Sequence, residues 1–252
     1  MLLKKQLTKA LLQAGLIDGD LVLVHSSLRK LGPVEGCADS VLDALLEVIG
    51  PNGTLALPTH TFSVVTARQP VFHQSLTPSN VGTLSNVFRK RSGVVRGLHP
   101  THSVAAIGPL AEKLVEGHEK ETTPCSANSP YVRLRDWNGK VLIIGEGLQC
   151  CTLFHACEEL AGMTQVCSPY LLELFSFTET NEVIPAPTRR HIINTWDQFP
   201  TLEPDLLANG ALKISSIGDC ALRLLDARRA CDWLVPELQK DPNLILPKPP
   251  QK

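Results

Sequence analysis

GKVLIIGEGLQCCTLFHACEELAG, residues 139–162, joins an apolar strand to a helix in one short stretch. Val141 to Ile144 are a short apolar run bounded by turn signals, the pattern of a buried strand. Gly145-Glu146-Gly147 then turns the chain. Leu153, Phe154, Ala156, Cys157, Leu160 and Ala161 fit a buried helix. His155 stands three residues before Glu158 and four before Glu159, and residues so spaced share a helix face. The stretch reads either as a core helix with a polar edge or as a base held by its carboxylate.

Upstream, the same alternation repeats. Residues 4–14 are helical in pattern and close at Gly15. LVLVHSS (21–27) contains a strand, CADSVLDALLEVIG (37–50) an amphipathic helix and TLALPT (54–59) a strand. Thr77 to Arg91 open with a turn and continue as a helix. SVAAIG (103–108) is a strand and GPLAEKLVEGH (108–118) a helix. Downstream, YLLELFSFTETNEVIPA (170–186) predicts a hairpin. ALKISSIG (211–218) predicts a strand running into a long helix over about Asp219 to Gln239, and DPNLILPKPPQK (241–252) an extended tail. The alternation predicts a layered α/β fold with a partly parallel mixed sheet. The expectation is one domain over 1–252, with 168–200 a candidate small subdomain or insertion.

Three strands end in polar residues: His25-Ser26-Ser27, Thr59-His60-Thr61 and Gly145-Glu146-Gly147. If those strands are parallel, their carboxyl ends line one sheet edge, where open α/β sheets bind ligands. Singly, each is an ordinary strand-end turn.

With 43% hydrophobic residues among 252 and a net charge of −1, the chain can bury a core and offers no overall basic surface. That balance argues against nucleic acid and anionic membrane as partners. Lysines interrupt the first apolar run and no stretch approaches the roughly 20 apolar residues of a membrane span, so the expected compartment is cytoplasmic. The eight cysteines form no CxxC. Cys150, Cys151, His155, Cys157 and Cys167 cluster in sequence, but adjacent cysteines rarely share one tetrahedral ion, so no metal site is expected. Val48 to Ala111 contain no acid and carry Arg68, Arg89, Lys90, Arg91 and Arg96, which suggests a phosphorylated ligand. No Walker or GxGxxG motif accompanies them.

VHSSLRKLGPVEGCADSVLDALLEVIGPNGTLALPTHTF (24–62), RGLHPTHSVAAIGPLAEKL (96–114), SPYVRL (129–134) and the opening stretch together resemble the aminoglycoside 3-N-acetyltransferase family. RRH (189–191) and IGDCALRLLDARRACDWL (217–234) continue the likeness weakly. The resemblance implies an α/β fold distinct from the GNAT acetyltransferases, and transfer of acetyl from acetyl-coenzyme A to an amine. It implies that His155 and Glu158 are the catalytic pair. By the same matching, Ser26, Ser27 and Leu28 lie along the coenzyme. Ser103 and Thr152 lie near its pantetheine and thioester, and Arg96 meets a phosphate. His102, Glu146 and Asp219 fall where a substrate amine would bind. Members that acetylate aminoglycosides need acids for a polycation. The segment after PTHTF supplies none here, which leaves room for a smaller or less cationic amine.

The chemistry asks for such residues. An amine attacks a thioester only when neutral, so a base with a pKa near working pH must take its proton. On spacing alone a helix-surface ion pair is the commoner reading of His155 and Glu158, and the surrounding blocks reverse that preference. The rival enzyme is a ping-pong acyltransferase or thioesterase with Cys125 or Cys151 as nucleophile. A non-catalytic coenzyme A-binding protein is a third class. The partner expected is a small-molecule amine, and the oligomeric state stays open between monomer and dimer.

Overall fold

A computed structural model describes residues 1–247, and the last residues of the expected tail, 248–252, lie outside them. The strands are β1 (Leu21–Ser26), β2 (Thr54–Pro58), β3 (Val71–His73), β4 (Val95–Arg96), β5 (Val104–Ile107), β6 (Lys140–Ile144), β7 (Phe175–Phe177), β8 (Val183–Pro185), β9 (Leu212–Ile217) and β10 (Cys220–Asp226). The helices are α1 (Lys4–Ala14), α2 (Leu28–Leu31), α3 (Cys37–Ile49), α4 (Thr83–Phe88), α5 (Ala111–Val115), α6 (Pro130–Asp136), α7 (Thr152–Leu160), α8 (Glu203–Ala208) and α9 (Ala227–Lys240).

Seven strands form one mixed sheet in the order β4-β5-β2-β1-β6-β10-β9. β1 pairs in parallel with β2 and β6, and the outer pairings are antiparallel. Side chains alternate across a strand. Leu21, Leu23, Val141 and Ile143 therefore pack into one core, and Val22, Val24, Leu142 and Ile144 into the other. α5, α6, α7 and α9 cover the first face, and α1, α3 and α4 the second. Each fully buried large apolar chain, such as Leu23 or Phe154, contributes about 1.5–3 kcal/mol.

Two expectations need correction. Residues 220–226 are strand, not helix: β10 pairs antiparallel with both β9 and β6, and α9 begins only at Ala227. The described part of the tail is not extended. It turns at Asp241–Leu246, and Ile245 inserts into the first core. The predicted hairpin exists as β7 and β8, and β3 adds to it in parallel, making a separate three-stranded sheet over Val65, Phe72 and Leu174.

The three polar strand ends do share an edge, because β2, β1 and β6 are adjacent and parallel. Gly145 makes the sharpest of these ends. Its φ is 73°, and a Cβ there would meet Lys30 Cβ at 2.8 Å and Ser27 O at 3.4 Å. Glycine thus lets β6 turn against the loop after β1.

Candidate active site

A cavity of about 520 Å³ opens at that edge. β1 contributes Val24, His25 and Ser26, the chain after β2 contributes His60 and Phe62, and the loop after β6 contributes Glu146 and Gln149. α7 presents Thr152 and His155, and the segment after β8 closes one side with Arg190, His191 and Trp196.

His155 is the fourth residue of α7, whose neighbours Leu153, Phe154, Ala156 and Cys157 are all core. Its Nδ1 lies 2.7 Å from Glu158 Oε2. The Glu158 side chain is 0% exposed and that of His155 13%. A helix-surface pair needs solvent around it, so burial removes that reading. A carboxylate only accepts, so Nδ1 donates and Nε2 is left as the basic nitrogen. The ring stacks on His191 at 4.4 Å and meets Phe199 edge-on at 5.0 Å, which fixes its plane.

A chain of imidazoles runs inward from there. His191 neighbours His102, which packs at 4.6 Å on His60, and His60 Nε2 is 2.7 Å from Tyr131 Oη. His99 stacks on His118 at 4.3 Å. Burial holds His25, His60, His99, His102, His118 and His191 well below the usual imidazole range, His25 at about 3 and His118 at about 4. Beside them, burial raises Glu159 to about 7, although Thr123 Oγ1 and the Cys125 N–H both donate to it.

The other expected site residues divide. Ser26, Thr152, His102 and Glu146 line the cavity. Ser27 sits beside Ser26 but accepts from Lys30 N as the cap of α2, and Leu28 packs partly into the second core. Glu146 is already paired with Lys30 Nζ at 2.8 Å. Asp219 lies in the exposed β9–β10 turn and does not line the cavity, because β10 replaced the expected helix.

Arg96 and Ser103 also need correction. The Arg96 guanidinium is buried, donating to Thr59 O at 2.9 Å, Gln74 O at 2.9 Å and Thr77 O at 2.7 Å. Its Nε reaches Thr59 Oγ1 and Ser103 Oγ, and Ser103 donates to Thr59 O. Neither residue lines the cavity, so Arg96 holds carbonyls rather than a ligand phosphate. The acid-free span disperses likewise, with Arg91 pairing with Asp39 and Asp43 on α3.

The sequence cluster of cysteines does not converge, since Cys157 faces Cys231 and Cys150 faces Gly147 O. Two other trios bring ligand atoms within 4.8 Å of one another: His155, Glu158 and His191, and Glu159, Cys167 and His191. In each, hydrogen bonds already engage the carboxylate. His191, Arg190 and Trp196 escaped the sequence reading. Only the weak RRH likeness pointed toward the first two.

Comparison with known proteins shows the family. The family model described as aminoglycoside 3-N-acetyltransferase matches residues 23–239, and the chain belongs to that family. It is 35% identical over 178 residues to aminoglycoside N(3)-acetyltransferase III of Salmonella sp., covering 64% of this chain and 61% of that one. The chain thus spans about three fifths of the length of that relative. Over 98% of this chain and 91% of the relative, it is 27% identical to the type IV enzyme of Salmonella sp.. The solved aminoglycoside acetyltransferase AAC(3)-IVa superposes with a TM-score of 0.83 at 26% identity, covering 98% of this chain and 92% of that one. Among the described residues, no helix is long and apolar enough to cross a membrane.

Proposed function

We propose that the protein transfers an acetyl group from acetyl-coenzyme A to a small-molecule amine by direct attack, with His155 as base and Glu158 as its orienter. The carrying observation is the 2.7 Å contact between a cavity-facing imidazole and a fully buried carboxylate. The amine nitrogen attacks the thioester carbon as His155 Nε2 takes its proton. The carbon–sulfur bond then breaks, and the coenzyme leaves as a thiolate that is reprotonated. Glu158 fixes the tautomer and stabilises the imidazolium as it forms. The first turn of α7 has no side-chain cap, which leaves the Thr152 backbone N–H as the candidate donor to the thioester oxyanion. Ser26, with Ser27 and Leu28 beside it, and Thr152 are the proposed contacts to the coenzyme. A solved relative, a histidine-to-alanine mutant of AAC(3)-IVa, is in complex with a gentamicin, which supports an amine as the acceptor.

The cysteine mechanism has little support. Burial pushes the Cys125 and Cys151 thiols well above their ordinary range, and neither lines the cavity. Cys150 does line it, but burial raises its thiol to about 12. The attacking species is the thiolate, which these sites disfavour. Intact mass spectrometry after incubation with acetyl-coenzyme A and no acceptor tests the point. An unchanged mass agrees with direct transfer, while a gain of one acetyl group on a cysteine overturns it. Binding without thiol release for any amine would leave only a coenzyme-binding protein.

A further inference from the structure

We infer that the acceptor is a compact amine with an apolar or aromatic body and an anionic end held by Arg190, rather than a polycation. The inference rests on the acetyl-transfer reading above and concerns which amine that site admits.

Charge points this way first. Among the described residues, the cavity wall carries one carboxylate, Glu146, and Lys30 already neutralises it at 2.8 Å. The other fixed charge on the wall is the cation of Arg190. Four further wall imidazoles, His25, His60, His102 and His191, are kept neutral by burial and supply no anion. A ligand with several ammonium groups would lose its hydration and meet one paired acid and a guanidinium of its own sign.

Arg190 itself is open to a ligand. One of its nitrogens, Nη2, donates to Phe62 O at 2.6 Å, and among the described residues no carboxylate lies within 4.0 Å of the guanidinium. It directly precedes His191, whose ring stacks at 4.4 Å on His155. The free edge of the guanidinium and the basic nitrogen therefore share one cavity. A carboxylate or a phosphate-type anion fits that fork. Phe62, Val81 and Trp196 supply an apolar wall for what lies between.

Size agrees. A cavity of about 520 Å³ suits one drug-sized ligand and must also admit the thioester end of the coenzyme. A ring with one amine and one anion fits that space.

The test is thiol release from acetyl-coenzyme A by four acceptors: para-(aminomethyl)benzoate, its methyl ester, benzylamine and gentamicin. With the unaltered protein, kcat/KM should fall in that order, the anionic amine leading the ester by roughly tenfold or more. Arg190→Gln and Arg190→Lys are compared for the first two. The Gln variant should lose about 10–100-fold on the benzoate and less than about threefold on its ester, with Lys between. Release led by gentamicin overturns the inference while leaving the acetyl-transfer reading intact, provided His155→Ala abolishes it. Weaker coenzyme A binding in Arg190→Gln, measured by calorimetry, with no change in acceptor preference, also overturns it by assigning the guanidinium to the coenzyme's phosphates. No His155-dependent release with any acceptor overturns both readings.

Discussion

The Arg96 guanidinium lies 4.7 Å from the Phe72 ring centroid, and carbonyls and hydroxyls alone hold it. With no carboxylate among those partners, burial pulls its pKa down to about 9. Arg96→Met would leave the carbonyls of Gln74 and Thr77 without their donor, while Thr59 O keeps the Ser103 hydroxyl. Unsatisfied buried groups cost about 1–3 kcal/mol each, so a loss of at least about 2 kcal/mol is expected. In a chain of this size that lowers Tm by at least roughly 4 °C in a thermal melt. Calorimetric titration of the folded variant should show unchanged coenzyme A affinity. Lost affinity at unchanged Tm would restore the phosphate role. The sequence could not make this distinction, because Arg96 precedes His99-Pro100 whether it faces a ligand or its own chain. The contact between His155 and Glu158 was legible because they lie three apart on one helix, but spacing alone favoured a surface pair, and only the surrounding blocks pointed to a catalytic one. His191 comes from a distant segment, and sequence spacing carries no signal for a stack made across the fold.

Elements were most readable where one period governs the pattern. α1 and α3 show a helical stripe that ends at a glycine, and β1, β2 and β6 show short apolar runs before polar ends. β10 defeated the same method. Its residues Cys220, Leu222, Leu224 and Leu225 are buried, and the sequence runs straight into the helical ARRACDWL with no glycine or proline between. Pairing with β6 and β9, a tertiary effect, decides the conformation there. The true boundary is Asp226, whose Oδ1 accepts from Arg229 N at 2.9 Å as the cap of α9. Asp226→Ala should cost about 1 kcal/mol, and Asp226→Ser much less. Urea unfolding of the two variants checks this, and equal loss in both would mean the carboxylate acts otherwise. At the other end of β6, Gly145→Ala should destabilise and also slow turnover. The new methyl group meets Lys30 and Ser27, so it displaces the loop that carries Glu146.

At the scale of the molecule, four of the eight histidines are buried, His102 and His191 are half-buried on the cavity wall, and burial lowers the pKa of all six. Their folded pKa values lie below the ordinary imidazole value of 6.5, so their contribution to stability is complete above pH 6.5 and is lost as pH falls below it. Glu159, raised to about 7, acts in the opposite sense, its contribution being complete below 4.5 and lost as pH rises through 7. Six groups outweigh one. Each contributes about 1.4 kcal/mol per pH unit within its window, against a total stability of about 5–15 kcal/mol. Acidification from neutral pH should therefore destabilise the protein progressively below pH 6.5, with uptake of protons on unfolding. Urea unfolding followed by circular dichroism at several pH values, with parallel proton titration, reads both, and a stability that does not fall as pH drops below 6.5 would refute the neutral cluster. The same burial sets the cavity's character, since its wall is rich in uncharged rings and poor in acids. All of this converges on the pair at the cavity's edge. The most direct test of the account is the rate of thiol release from acetyl-coenzyme A, at saturating amine, by the unaltered protein and by folded His155→Ala. The account predicts a loss of about 10²–10⁴ in kcat with coenzyme affinity nearly unchanged. Retained turnover in His155→Ala would contradict it.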